Sequence, residues 1–218
     1  MARLSIVIDL DICIGCNACT LACKVEHGTQ RAVFWGKVLE HEVGRTPAVT
    51  RLFLPVLCNH CENPACSEVC PTRATYVDEA GVVLVDYQKC IGCRACVAAC
   101  PYMSRTYLDR ERHYFPDTPI PHTARGQQSL EGVVQKCNLC VERLRRGEPP
   151  ACVEACPTSC RVFGDLEDPH SSVSELVESE RSFQLLPEKG TAPKVHYLLT
   201  NRDALIRDPA TGAKGGAE

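Results

Sequence analysis

Cys13-Ile14-Gly15-Cys16-Asn17-Ala18-Cys19-Thr20-Leu21-Ala22-Cys23 decides how this chain folds, because its four cysteines fall in the spacing C-x2-C-x2-C-x3-C. The same spacing returns at Cys90, Cys93, Cys96 and Cys100, followed by Pro101. Two looser copies flank it. Cys58, Cys61, Cys66 and Cys70, followed by Pro71, widen the middle gap to four residues; Cys137, Cys140, Cys152 and Cys156, followed by Pro157, widen it to eleven. Four groups of four use sixteen of the 17 cysteines in 218 residues and leave Cys160 over. The hydrophobic fraction of 44% counts those cysteines, and about 36% remains without them, with 6% aromatic. A conventional apolar core is thin for this length. The cysteines must therefore supply centres to pack around, as they do when ligation energy doubles as folding energy.

Three closely spaced thiolates on one loop suit three corners of an iron–sulfur cube. The fourth, three residues on, has begun a helix and points away, so it serves a neighbouring cluster; this is the run of bacterial ferredoxins. The proline after the last cysteine forces that cysteine out of the α region and turns the chain aside. Gly15 and Gly92, inside CxxC steps, remove a side chain where backbone amides approach cluster sulfurs. Two rival readings of the cysteines are weaker. A disulfide framework belongs to shorter secreted chains, and residues 4–10 run into the first motif with no room for a cleavable signal. Structural zinc suits pairs such as Cys137/Cys140 and Cys152/Cys156, but it does not call for three consecutive CxxC steps closed by Cys-Pro. Cys160 reads as a small buried hydrophobe and not as a ligand.

The spacing between groups sets the architecture. Residues 74–77 and 82–86 read as the strands of a hairpin around Gly81, which joins groups two and three into a compact two-cluster unit with a short helix after each Cys-Pro. Groups one and four then need each other for their outward cysteines, with residues 5–9 and 161–165 as outer strands. The expected fold is α+β: two interleaved bacterial-ferredoxin-like units with long connecting loops. Residues 1–50 and 126–170 form the outer unit, 51–125 the inserted unit with its loop, and 171–218 a C-terminal helix, an extended segment and a frayed tail. Residues 171–180 read as an amphipathic helix capped by Ser171 or Ser172, and 194–200 as a strand. Segments 24–57 and 101–136 exceed what cluster binding needs and read as docking loops; His113 and His122 in the second receive no role.

A formal charge of −3 argues against a sequence-independent nucleic-acid partner. No stretch approaches the roughly 18 consecutive apolar residues of a membrane span, so the chain reads as soluble or peripheral. Three readings of its function result: an electron-transfer subunit, an independent soluble polyferredoxin, or a zinc-binding structural or assembly module.

Ile8-Asp9, Cys58-Asn59-His60-Cys61-Glu62-Asn63-Pro64-Ala65-Cys66, Lys89-Cys90-Ile91-Gly92-Cys93, Lys136-Cys137-Asn138-Leu139-Cys140 and Pro150-Ala151-Cys152-Val153-Glu154-Ala155-Cys156-Pro157 favour the first. Over residues 1–200 these motifs resemble the four-cluster iron–sulfur subunit of molybdopterin oxidoreductases, the group containing dimethyl sulfoxide, polysulfide, thiosulfate and respiratory arsenate reductases. The resemblance implies four [4Fe–4S] clusters and no bond chemistry in this chain. It implies four ligand sets: Cys13, Cys16, Cys19 and Cys156; Cys23, Cys137, Cys140 and Cys152; Cys58, Cys61, Cys66 and Cys100; and Cys70, Cys90, Cys93 and Cys96. It further implies a molybdenum- or tungsten-pterin catalytic subunit next to the first set and a quinone-linked membrane subunit next to the last. Co-export with the catalytic subunit would place the complex on the outer face of the membrane, a cytoplasmic-facing complex being the alternative. Lys24 departs from the pattern, standing where proline is common.

Overall fold

Leu4–Asp9 forms strand β1, apolar on both faces: Ile6 and Ile8 point to one side and Val7 to the other, all at most 1% exposed. A strand buried on both faces belongs at the centre of a sheet. The computed structural model describes residues 2–110, 114 and 130–200. In chain order the further strands are β2 (Gly36–Arg45), β3 (Ala48–Leu57), β4 (Thr75–Val77), β5 (Val83–Val85), β6 (Thr106–Tyr107), β7 (Val134–Gln135), β8 (Arg161–Asp165), β9 (Ser182–Phe183) and β10 (Val195–Leu198). The helices are α1 (Ala18–His27), α2 (Ala65–Glu68), α3 (Ala95–Ala99), α4 (Val141–Leu144), α5 (Ala151–Glu154) and α6 (Ser172–Val177).

The four-stranded sheet runs β8-β1-β10-β9. β1 pairs antiparallel with β8, from Leu4 opposite Asp165 to Ile8 opposite Arg161, and parallel with β10, from Ile6 opposite Val195 to Asp9 opposite Leu198. The predicted outer strands thus lie side by side, and the segment predicted from 194 onward supplies their neighbour. Ile6, Ile8 and Leu10 join a core containing Cys23, Cys58 and Cys137; Val7 packs with Val173 and Leu198 beneath α6. Ser171 is the N-cap of α6, as expected, but the helix stops at Val177. The fully buried Tyr197 of β10 donates its hydroxyl to the Pro55 carbonyl at 2.9 Å and ties the sheet to β3.

The hairpin predicted around Gly81 is β4 and β5, with Thr75 opposite Val85 and Gly81 at φ +73°. Two expectations are corrected. Segment 24–57 is not a loop throughout: β2 and β3 pair over ten residues each, from Gly36 opposite Leu57 to Arg45 opposite Ala48. Charges at Glu40 and Glu42 mask the strand alternation, and the ribbon's exposed face satisfies them across the pair, Arg51 meeting Glu40 at 3.1 Å and Glu42 at 3.0 Å. Nor do short helices follow the Cys-Pro steps. α2 and α3 precede Cys70-Pro71 and Cys100-Pro101, since proline lacks the N–H that would carry a helix on. Segment 101–136 is pinned at its base by β6 against β7. His113, His122 and the predicted tail from 207 lie outside the described residues.

Candidate iron–sulfur sites

The first and third motifs fold alike. Gly15 and Asn17 take φ +68° and +59°, and Gly92 and Arg94, at the equivalent positions, take +66° and +63°. Left-handed residues set two apart in a tight turn bring backbone N–H groups to the inside of a loop, making a concavity that receives anions such as cluster sulfur. A Cβ on Gly15 would run into the Phe53 ring, and one on Gly92 into the Gly132 carbonyl. The glycines are thus demanded by φ and by the wall behind the loop, a correction to their reading as openings toward sulfur.

The three Cys-Pro steps also repeat one geometry. The N–H groups of Arg73, Met103 and Ser159 donate to the carbonyls of Cys70, Cys100 and Cys156 at 3.1, 3.2 and 3.2 Å, and all three residues have positive φ. Cys100 itself is extended, at φ −82° and ψ 110°, as its proline dictates. Lys24 carries an N–H where the others have proline, so α1 runs on to His27. Its ammonium donates to the Gln30 and Val33 carbonyls, both at 2.9 Å, and so holds the loop that follows.

These turns bring together cysteines from different motifs. One cavity is lined by Cys13, Cys16 and Cys19 with Cys156, and by the spare Cys160. A second is lined by Cys23 with Cys137 and Cys152, under Trp35 and beside Cys19 of the first; the Cys23 thiol also feels Cys140. In a third group the Cys61 thiol feels Cys58, Cys66 and Cys100. A fourth cavity is lined by Cys90, Cys93 and Cys96 with Cys70. We call these the first to fourth sites. Thiols spread around the wall of a cavity suit a multi-iron cube.

Electrostatics make the same demand. Burial pushes the Cys61 thiol up to about 11 and Cys140 to about 12, and raises Cys23 and Cys137 as well, neighbouring cysteines adding to the effect. Four thiolates held this close need positive charge among them, which iron supplies, because ligands bind deprotonated. Nitrogen donors reach several sulfurs: Arg105 Nη2 to Cys66 at 2.9 Å, the Thr75 N–H to Cys70 at 3.4 Å and the Leu139 N–H to Cys137 at 3.4 Å. His27 Nε2 lies 3.2 Å from Cys140 Sγ. Such contacts, with exposure, set cluster potentials. Cys160 is buried, 3.4 Å from Cys156 Sγ, and its thiol is pushed up while the neighbouring Cys13 thiol is held below the usual thiol range.

The 4Fe-4S dicluster domain family matches residues 49–115 and 117–166, and a 4Fe-4S binding domain family matches 10–26. The chain belongs to the 4Fe-4S dicluster family. Within it, the chain is 40% identical to a protein of Halobacterium salinarum named as a dimethyl sulfoxide reductase iron-sulfur subunit, over 91% of this chain and 79% of the other. It is 38% identical to the arsenate respiratory reductase iron-sulfur subunit of Shewanella sp. strain ANA-3, over 90% and 96%. It is 36% identical to a polysulfide reductase polypeptide of Wolinella succinogenes, over 93% and 97%. This dicluster protein is an iron–sulfur electron-transfer subunit of the same type, as its motifs led us to expect. The sequence alone did not single out His27, Arg105 or Arg161 near the sulfurs. The signal available for the two arginines was register: each stands five residues past the cysteine of a Cys-Pro turn, Cys100 and Cys156.

Proposed function

We propose that the chain holds four [4Fe–4S] clusters in crossed ligand sets, each built from three cysteines of one motif and the last cysteine of another. The observation that carries this reading is the lining of two cavities, where Cys156 faces the first motif's loop and Cys70 the third's. Adjacent sites form a series. Cys19 lines both the first and second cavities, Cys137 of the second site feels Cys58 of the third, and Arg105 joins Cys66 of the third to Thr75 at the fourth. Bound there, the clusters supply reversible one-electron chemistry. The protein's own groups hold each centre, exclude water with Trp35, Leu57 and Val85, and aim N–H donors at the ligand sulfurs.

The two interleaved units follow from the same pairing. Residues 1–50 and 126–170 share β1 against β8, and Arg143 of α4 meets Glu26 of α1 at 3.2 Å. Residues 51–125 carry the third and fourth sites, and the segment from 171 adds α6, β9 and β10 to the outer sheet. Relatives named as parts of respiratory arsenate and polysulfide reductases support a place in a membrane-associated complex. In that reading a molybdopterin catalytic subunit docks at the first site and a quinone-linked membrane subunit at the fourth, on the outer face by co-export. No helix among the described residues is long and apolar enough to cross a membrane. The chain purified with its partners should carry about sixteen iron and sixteen acid-labile sulfide, together with molybdenum or tungsten on a larger subunit. Colourless protein with stoichiometric zinc overturns the reading.

A further inference from the structure

Of the four buried lysines and arginines among the described residues, Lys194 donates to the Gly81 carbonyl at the hairpin turn, and Arg161, Lys136 and Arg105, only 4%, 2% and 5% exposed, lie along this series. Among the described residues no carboxylate lies within ion-pair distance of any of them. A buried charge persists only where an opposite charge compensates it. For all three the neighbours able to do so are cysteine sulfurs. Arg161 lines both the first and the second cavity. Arg105 donates through Nη2 to Cys66 Sγ at the third site, and through Nη1 at 3.0 Å to Thr75 Oγ1, which lines the fourth. Lys136 donates to the carbonyls of Val83 and of Cys137, the latter at 2.7 Å, and so stands between the second site and the hairpin that backs the third and fourth. Its charge also acts on Cys66 of the third site.

We propose that Arg161, Lys136 and Arg105 are positioning residues for electron transfer, one buried cation at each of the three junctions between neighbouring clusters. The inference rests on the ligand sets proposed above. A cluster held by four thiolates is anionic, and each added electron makes it more so. Two such centres side by side repel, and reduction of one disfavours reduction of the next. A fixed cation at the junction offsets that repulsion for both partners at once, so an electron can leave one centre and enter the next without a large uphill step. Arginine suits this role because it stays charged when buried and its planar fork reaches groups on two sides. The repeat explains how two of the three come to be placed alike. Each Cys-Pro turn carries the residue five positions on into a junction: Arg105 after Cys100 and Arg161 after Cys156, with Thr75, the partner of Arg105, after Cys70.

Potentiometric titration followed by electron paramagnetic resonance, on the assembled complex, tests this. Each signal is first assigned with the last-cysteine variants Cys156→Ser, Cys23→Ser, Cys100→Ser and Cys70→Ser. Arg161→Gln should lower the potentials of the first and second clusters, by about tenfold in each reduction equilibrium or 59 mV for a one-electron couple, and leave the third and fourth unmoved. Arg105→Gln should do the same to the third and fourth and spare the first and second. Arg161→Lys and Arg105→Lys, which keep the charge and lose the fork, should restore most of each shift. A shift of one flanking cluster alone, no shift, or lysine variants that behave like glutamine overturn the proposal. So does loss of iron from both glutamine variants, which would make the arginines structural. If the serine variants do not remove the assigned signals, the ligand sets fail first; if they do and the potentials stay put, the cation proposal alone fails.

Discussion

The first and third motifs share one cysteine spacing and part company at the next residue, Lys24 after Cys23 and Pro101 after Cys100. In the first, α1 continues to His27, which reaches Cys140 of the second site, and Lys24 ties down the following loop. In the third, α3 stops at Ala99 and the chain turns, delivering Arg105 to Cys66 of the third site. Each exit places a nitrogen beside a sulfur of the site that the motif's own last cysteine is proposed to complete. Spacing decides which sulfurs share a loop; the residue after the last cysteine decides what accompanies that cysteine to its neighbour.

Forcing the first exit to resemble the third should break the comparison most severely. Lys24→Pro removes a backbone donor and puts a ring against the preceding turn of α1, at a cost of about 3 kcal/mol or more, read as a lower denaturation midpoint of the cluster-loaded protein. Removing only the ammonium is milder. Lys24→Met leaves the Gln30 and Val33 carbonyls without their donor and should cost about 2 kcal/mol by the same measurement.

The paired loops can be compared more finely. Gly15→Ala and Gly92→Ala each cost about 1–2 kcal/mol for a left-handed alanine. Gly92→Ala should be the worse of the two, because its Cβ meets the backbone carbonyl of Gly132, whereas the Phe53 ring facing Gly15 is a side chain that can swing aside. Equal losses in thermal melts would show that the wall behind the loop does not matter. The smallest effect belongs to Cys160→Ala, which should keep iron content and stability near the parent while shifting the potential of the first cluster alone, since the Cys160 sulfur lies against Cys156 and acts on Cys13 of that site.

Much of this was legible in the sequence because cysteine spacing is a geometric instruction. The four groups, the hairpin around Gly81 and the extended Cys100 before Pro101 follow from local rules about loops, proline and alternation, and 5–9 and 161–165 read as strands of one unit because groups one and four need each other. The ribbon of β2 and β3 escaped notice because Glu40, His41 and Glu42 interrupt its apolar pattern, and only the register with Arg51 shows why strands tolerate them there. The buried cations escaped for a different reason. Only their shared register, five residues past Cys100 and Cys156, sets Arg105 and Arg161 apart along the chain; their roles arise when a turn carries them against sulfurs that lie 39 residues away in the case of Cys66. The parallel partnership of β1 with β10, near opposite ends of the described chain, is likewise a long-range pairing with no local signature.

The crossed ligand sets are the central claim, and Cys23→Ser tests them most directly. Iron analysis and electron paramagnetic resonance of this variant should show damage to the cluster held by Cys137, Cys140 and Cys152, with the one held by Cys13, Cys16 and Cys19 retained. Loss of the first-motif cluster alone, with the fourth-motif cluster intact, would contradict the account.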